Sequence, residues 1–205
     1  MTNKTHYDSP RLELLHHTFN KATEDASAAM STWTNGQISL SLDELSEVSL
    51  ESVSEDLNLG MEFFTMVVMT LDGEVGGTMI LTFDEKNGRQ LAATLINREV
   101  ETDEVWSDLE KSALNETGNI LGCAYLNALS DLVSANLVPS PPYFIQDYGA
   151  SVLEQALMEQ AITEDKVLIC RTTFCKGTEE LNWNVFFIPN SGMRTAMEKS
   201  QKASC

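Results

Sequence analysis

The sequence predicts an α/β protein of the α+β type, built as a tandem, pseudo-symmetric repeat. Three observations carry this. Two long segments, beginning near residues 9 and 106, repeat apolar residues at helical spacing. Each half also holds two runs of β-favouring residues on either side of a tight turn, the pattern of a hairpin. Finally, the order helix, strand, helix, hairpin, helix occurs twice at an offset of about 100 residues, for which tandem duplication is the simplest account.

In the first half, Ser9 followed by Pro10 is a helix start, and Leu15, Phe19, Ala22, Ala26, Met30 and Trp33 form a core stripe. Asn35-Gly36 stops that helix. Residues 37–42 alternate as a strand does, through Ile38, Leu40 and Leu42; residues 43–59, rich in Glu, Ser and Asp, read as a short helix or loop. Residues 62–71 and 77–83 make a hairpin across Asp72-Gly73, Asn87-Gly88 closes it, and residues 89–96 form a helix. The acidic stretch 99–104 separates the halves.

The second half starts with a helix after Trp106 and reaches Pro142. Residues 143–146 suit a strand, 150–162 a helix, 166–174 with 181–189 a second hairpin across Lys176-Gly177, and 191–202 a last helix. Arg194, Lys199 and Lys202 sit toward the end of that last helix, where cations suit the dipole. A chain of 205 residues suits one domain, 1–205, with halves of about 9–100 and 105–202.

With 42% hydrophobic residues the chain can bury a sizeable core, and its net charge of −18, from 31 acidic and 13 basic residues, argues against nucleic acid or an anionic membrane as partner. No apolar run approaches the roughly 18 residues needed to span a bilayer, and the first residues lack a signal-peptide core, so a cytoplasmic location is expected. Cys123, Cys170, Cys175 and Cys205 form no CxxC pair, which suits free thiols in a reducing compartment.

The most informative stretch is Ser112-Ala-Leu-Asn-Glu116-Thr-Gly-Asn119. At about 100° per residue, Glu116 lies about 40° and Asn119 about 20° from Ser112, on opposite sides, so the three share one helix face. Leu109, Ala113, Leu114, Thr117, Ile120, Leu121, Ala124 and Leu132 fill a separate arc, the expected buried stripe. Cys123 and Leu126 continue the polar row. Such a row is ordinarily a solvated face, but here Pro142 follows Asn119 after twenty-two residues. Glu-x-x-Asn also occurs at Glu55/Asn58 and Glu179/Asn182, without Asp or Ser four residues earlier or Pro after the same gap. With average residue usage, such as about 5% Pro, the four-point pattern arises by chance in well under about one chain in a hundred of this length.

Ser112-x3-Glu116-x2-Asn119-x22-Pro142 resembles the signature of the CheC/CheX/FliY phosphatases of bacterial chemotaxis, which is Asp or Ser, x3, Glu, x2, Asn, x22, Pro. The resemblance implies a CheC-like fold, with two long helices carrying the signature and packing across the sheet. Shifting by 99 residues sets Glu13, His17 and Asn20 opposite Ser112, Glu116 and Asn119, and Asp43 opposite Pro142. One intact and one degenerate site are therefore expected. The implied activity is hydrolysis of the aspartyl phosphate of a CheY-like response regulator. Asn119 would orient the attacking water and Glu116 would dock against a lysine of the partner, with Ser112 and Pro142 supporting. No cofactor is expected in this chain, and Mg2+ is expected in the partner. The competing implication is a non-catalytic chemotaxis or flagellar-switch interaction protein on the same fold, for example a partner of a CheD-like protein.

Other enzyme classes find little support. A Ser/His/Asp or Cys/His hydrolase would have to draw its base from His6, His16 or His17, none in a recognisable nucleophile context. Glu13, His17 and Glu24 share a helix face, but a solvated polar face explains them better than a metal. The glycines form neither a Walker A loop nor a GxGxxG fingerprint. Gly118 and Gly122, one turn apart, point to close backbone packing, and the nine methionines to core filling.

Overall fold

A computed structural model describes residues 10–49, 63–100, 105–148, 151 and 166–203. Among the described residues, four helices and six strands follow in the order α1 (Pro10–Trp33), β1 (Ile38–Ser49), β2 (Phe63–Leu71), β3 (Gly77–Phe83), α2 (Glu85–Leu95), α3 (Asp108–Val133), β4 (Tyr143–Tyr148), β5 (Lys166–Lys176), β6 (Glu179–Pro189) and α4 (Ser191–Ala203). The strands form one sheet, β1-β5-β6-β3-β2-β4, with every neighbour antiparallel. This order maps onto itself when the halves are exchanged: β1 and β4 are the edges, β5 and β2 lie inside them, and β6 pairs with β3 at the centre. The fold is the expected α+β repeat, with α1 and α3 packed on each other and on the sheet.

The stripe of α1 is buried as its spacing predicts, from Leu15 through Phe19, Ala22 and Ala26 to Met30. Trp33 is a correction, since it is 36% exposed. The buried place in that turn goes to Thr34, whose hydroxyl donates to the Met30 carbonyl at 2.7 Å and accepts from the Ile38 amide at 3.1 Å, while the chain reverses through Asn35 (φ 51°) and Gly36 (φ 80°). Ser9, the expected cap, lies outside the described residues.

Strand β1 is longer than the alternation indicated. It continues from Leu42 to Ser49 because a bulge at Asp43 shifts the register, Leu42 facing Thr172 and Glu44 facing Arg171. One extra residue inverts the inward positions from Leu40 to Leu45 and hides the strand from a period-two reading. The remainder of the 43–59 segment, and the expected helix at 150–162 except Ser151, lie outside the described residues. Asn87-Gly88 is not a turn but the first turn of α2, which Asp84 caps by accepting from the Asn87 amide at 2.7 Å.

In α3 the expected stripe holds at Ala113, Leu114, Thr117 and Leu121, but Leu109 is 46% exposed and Leu126 is buried. At the first turn the inward place belongs to Glu110, which leaves Leu109 about 100° away. Further along, α1 covers a second side of the helix, so Tyr125, Leu126 and Leu129 are all buried. Tyr125 stacks 5.4 Å from Phe19, and its hydroxyl lies 2.9 Å from Thr23 and 3.2 Å from Thr172. The Thr23 proton is spent on the Phe19 carbonyl at 2.8 Å, so Tyr125 donates to Thr23 and accepts from Thr172. Burial pushes the Tyr125 pKa up, keeping it a neutral clasp between α1, α3 and β5.

The two glycines of α3 set its distance from the sheet. A Cβ on Gly118 would lie 2.5 Å from Cγ1 of Val67 on β2, and one on Gly122 would meet the sulfur of Met69. Both are closer than van der Waals contact, but Val67 is stiff and Met69 is flexible. In an open helix Gly→Ala stabilises by about 1 kcal/mol; overpacking against β2 costs about 1–3 kcal/mol. Gly118→Ala is therefore expected to lower stability by roughly 1 kcal/mol in urea denaturation, with Gly122→Ala closer to neutral and Val67→Ala partly relieving the first variant. A stabilised Gly118→Ala would show that the helix does not seat on β2 in this way.

Candidate functional site

Helix α3 is fixed at its N-terminus before it displays any site. Ser107 caps it and Glu110 completes a capping box. The Glu110 carboxylate accepts from the Ser107 amide and hydroxyl, each at 2.8 Å, and from the Arg89 guanidinium of α2 at 3.0 and 3.1 Å. Arg89 also lies 4.1 Å over the Trp106 ring. All three side chains are buried, so the ion pair is shielded from solvent and ties α2 to the start of α3.

Beyond this anchor, Ser112, Glu116, Asn119 and Pro142 line one cleft of about 610 Å3 between α3 and the segment 139–142. The helix wall carries Ser112 and Glu116 exposed and Asn119 half-buried. The opposite wall is stitched to β2: Pro139 bridges Leu71, the Ser140 amide donates to the Thr70 carbonyl at 2.8 Å, and the Thr70 amide donates to the Ser140 hydroxyl at 3.0 Å. Pro142 precedes edge strand β4, where a proline costs no ladder bond, and its Cβ lies 3.6 Å from the Cβ position of Gly118. Both walls are thus referenced to the same strand.

Glu116 makes no hydrogen bond or ion pair within the described residues, so its carboxylate is available to an incoming cation. Asn119 makes a single one: its Oδ1 accepts from the Cys123 thiol at 3.6 Å. Lys111 and Asn115 also line the cleft, although the spacing argument did not single them out. Helical geometry could have found them, since they lie on the flank of Ser112 that faces β4, with the Lys111 amine 6.0 Å from the Phe144 ring.

Glu13, His17 and Asn20 lie on α1, away from that cleft. Glu13 and His17 are exposed, and the Asn20 amide is already engaged, donating to Glu24 at 2.9 Å. His17 lines a second depression, a groove of about 640 Å3 between α1 and α3 that Asn119 and Cys123 also border. Asp43, opposite number of Pro142, sits in the bulge of β1 beside Thr173. Among the described residues no three His, Cys, Asp or Glu side chains are grouped to hold a metal ion, and no helix is long and apolar enough to cross a membrane. Cys123, Cys170 and Cys175 are free thiols, and Cys205 lies outside the described residues.

No protein-family model matches the chain. It is 23% identical over 184 residues to the CheY-P phosphatase CheC of Bacillus subtilis, covering 88% of each protein. It is 20% identical over 148 residues to CheC1 of Halobacterium salinarum, covering 72% of this chain and 75% of that one. Among solved structures, FliY of Thermotoga maritima superposes with a TM-score of 0.76 at 16% identity, covering 96% of this chain and 98% of its own. FliM from a FliG–FliM complex of H. pylori gives 0.66 at 11%, covering 92% and 100%. The CheX–CheY–BeF3–Mg2+ complex of Borrelia burgdorferi gives 0.53 at 20%, covering 86% and 98%. These structures share the fold.

The Glu110 anchor has a pH signature. Burial opposes ionisation of its carboxyl, yet the hydrogen bonds from Ser107 and Arg89 outweigh it and hold the pKa below the ordinary value of 4.5. A depressed native pKa gives stability that is present above the ordinary value and lost as pH falls through the native one. The melting temperature of the wild type is expected to fall as pH drops below about 4.5, whereas Glu110→Gln, already less stable by roughly 3 kcal/mol at pH 7, shows a flatter acid limb. Parallel acid limbs would contradict the assignment.

Proposed function

We propose that this chain is a member of the CheC/CheX/FliY family and a phosphatase that hydrolyses the aspartyl phosphate of a CheY-type response regulator. The observation that carries this reading is the convergence of Ser112, Glu116, Asn119 and Pro142 on one cleft, although thirty residues separate the first from the last. Their spacing is the family's, and a pattern with no common site would have left Pro142 far from α3.

The chemistry follows from what the cleft contains. An aspartyl phosphate in a receiver already faces Mg2+ and a lysine in its own protein, so the transition-state charge is met there. What remains is to hold a water in line with the breaking P–O bond. The Asn119 carboxamide supplies the hydrogen-bonding group for that water, and Glu116, without a partner among the described residues, pairs with the lysine of the regulator. Proximity and orientation of this kind lower a barrier by several kcal/mol without a covalent intermediate. Ser112 flanks the docking face, and Pro142 with its neighbours shapes the other wall. Glu13, His17 and Asn20 are the degenerate counterpart, lacking the carboxylate and holding the amide in a bond to Glu24.

A protein-sized substrate also explains the rim. Val105, Leu109, Val138 and Tyr143 are exposed large apolar side chains set next to the cleft in the chain, at its helix start and around its proline wall. Exposed apolar side chains of this kind exclude water from a docked surface. The second reading is a non-catalytic role on the same fold, as a flagellar-switch-type scaffold or a CheD-binding partner, and the structural likeness to FliM favours it. Binding that ignores phosphorylation and survives Glu116→Ala would point there.

Two outcomes test the phosphatase reading. Asn119→Ala is expected to lower kcat for phosphate release about 100-fold, the scale of losing one preorganised hydrogen-bond donor, while the variant still binds the phosphorylated regulator in a pull-down or by calorimetry. Unchanged turnover would remove Asn119 from the chemistry. Leu109→Asp is expected to raise KM about tenfold or more with kcat unchanged, reporting uniform binding; a loss confined to kcat would take Leu109 out of the docking rim.

A further inference from the structure

We propose that Cys123 is a positioning residue for the Asn119 carboxamide, an inference that rests on the phosphatase reading of the cleft. Asn119 stands where two depressions meet, the cleft with Ser112, Glu116 and Pro142 and the groove between α1 and α3. Cys123, one turn further along the helix, borders only the groove. Its Sγ lies 3.6 Å from Asn119 Oδ1 and is the one hydrogen-bond partner of that side chain among the described residues.

In this contact the Cys123 thiol donates and Asn119 Oδ1 accepts; a carboxamide accepts at oxygen alone, and a thiol is a weak donor and a weak acceptor. The S–H therefore holds Oδ1 on the groove side. Because the amide is planar, fixing its oxygen toward the groove turns the NH2 group toward the cleft. Nδ2 then presents its hydrogens where a phosphoryl group and its in-line water would sit, while one lone pair of Oδ1 stays free. The α1 counterpart is the reverse: there the amide nitrogen is the engaged atom, donating to Glu24 at 2.9 Å. Equivalent asparagines in the two halves are thus held by opposite ends, one with its donor facing outward and one with its donor consumed.

Cys123 is half-buried and Asn119 half-buried, so neither is locked by packing alone. Removing the thiol frees the amide to rotate about its last torsion, which is broad for asparagine. The loss is of orientation, not of binding surface, and should fall on kcat.

The test combines a spectroscopic and a kinetic readout on the full chain. The Asn119 side-chain amide pair is identified in an 15N correlation spectrum by its absence in Asn119→Ala, then followed in wild type, Cys123→Ser and Cys123→Ala. We expect the wild type and the serine variant, which keeps a donor, to show one well-dispersed pair, and the alanine variant to move and broaden it. We expect kcat for phosphate release to fall about fivefold in Cys123→Ala, the worth of one neutral hydrogen bond, with KM unchanged and Cys123→Ser close to wild type. An Asn119 amide unmoved in Cys123→Ala overturns the proposal whatever the activity, and so does a moved amide with unchanged kcat. If the wild type releases no phosphate from any regulator, it is the phosphatase reading that fails, and the amide spectrum still decides whether Cys123 orients Asn119.

Discussion

The seating of α3 on β2 is the constraint on which the rest depends. Gly118 brings the helix close enough to Val67 that an added Cβ would overlap its stiff side chain, whereas Gly122 sits over the flexible end of Met69. The proline wall is bound to the same strand through Ser140 and Thr70. The width of the cleft is therefore set by one rigid strand and not by two independent loops, which gives a site precision. Glu110 and Arg89 complete the arrangement at the other end by fixing where the helix begins. Asn119 follows Gly118 directly, so the residue that sets the closest approach is the neighbour of the one proposed to hold the water.

The sheet order, symmetrical about the β3–β6 pair, gives the two halves equivalent scaffolds. We propose that they arose by duplication and diverged at the site. On α3 the row stays open, with Glu116 unpaired among the described residues; on α1 a histidine stands at that position and Asn20 is tied to Glu24. The halves are joined by the buried Tyr125 hydroxyl, which connects α1 through Thr23 and β5 through Thr172. The Tyr125–Thr23 bond crosses the repeat boundary, so separating the halves breaks a buried hydrogen bond between them.

Much of this was legible in the residues. Hairpins, long helices and their order announce themselves through periodicity and turn chemistry, and the spacing from Ser112 to Pro142 marked the cleft before its walls were visible. What escaped has a physical cause in each case. The bulge at Asp43 inverts the inward face of β1 and so erases its alternation. Asn87-Gly88 carries the usual turn chemistry, but Asp84 caps the chain into a helix and Gly88 is needed where the backbone passes Phe83. Leu109 matches the buried period, yet a carboxylate takes the inward place because an arginine twenty-one residues earlier in the chain is there to meet it. Lys111 and Asn115 lie on the flank of Ser112 that helical geometry reaches, but that this flank faces the proline wall is a tertiary fact.

The cleft holds a carboxamide and a carboxylate unpaired among the described residues, and no histidine is among the residues that line it. We propose that such a site completes another protein's chemistry. The most direct measurement is the decay of radiolabelled phosphate from purified CheY-type regulators, in Mg2+, with and without the wild-type chain. The account predicts that at least one regulator loses its phosphate faster in the presence of the chain, in proportion to the amount added. Regulators that bind the chain but keep their phosphate at the intrinsic rate would contradict it.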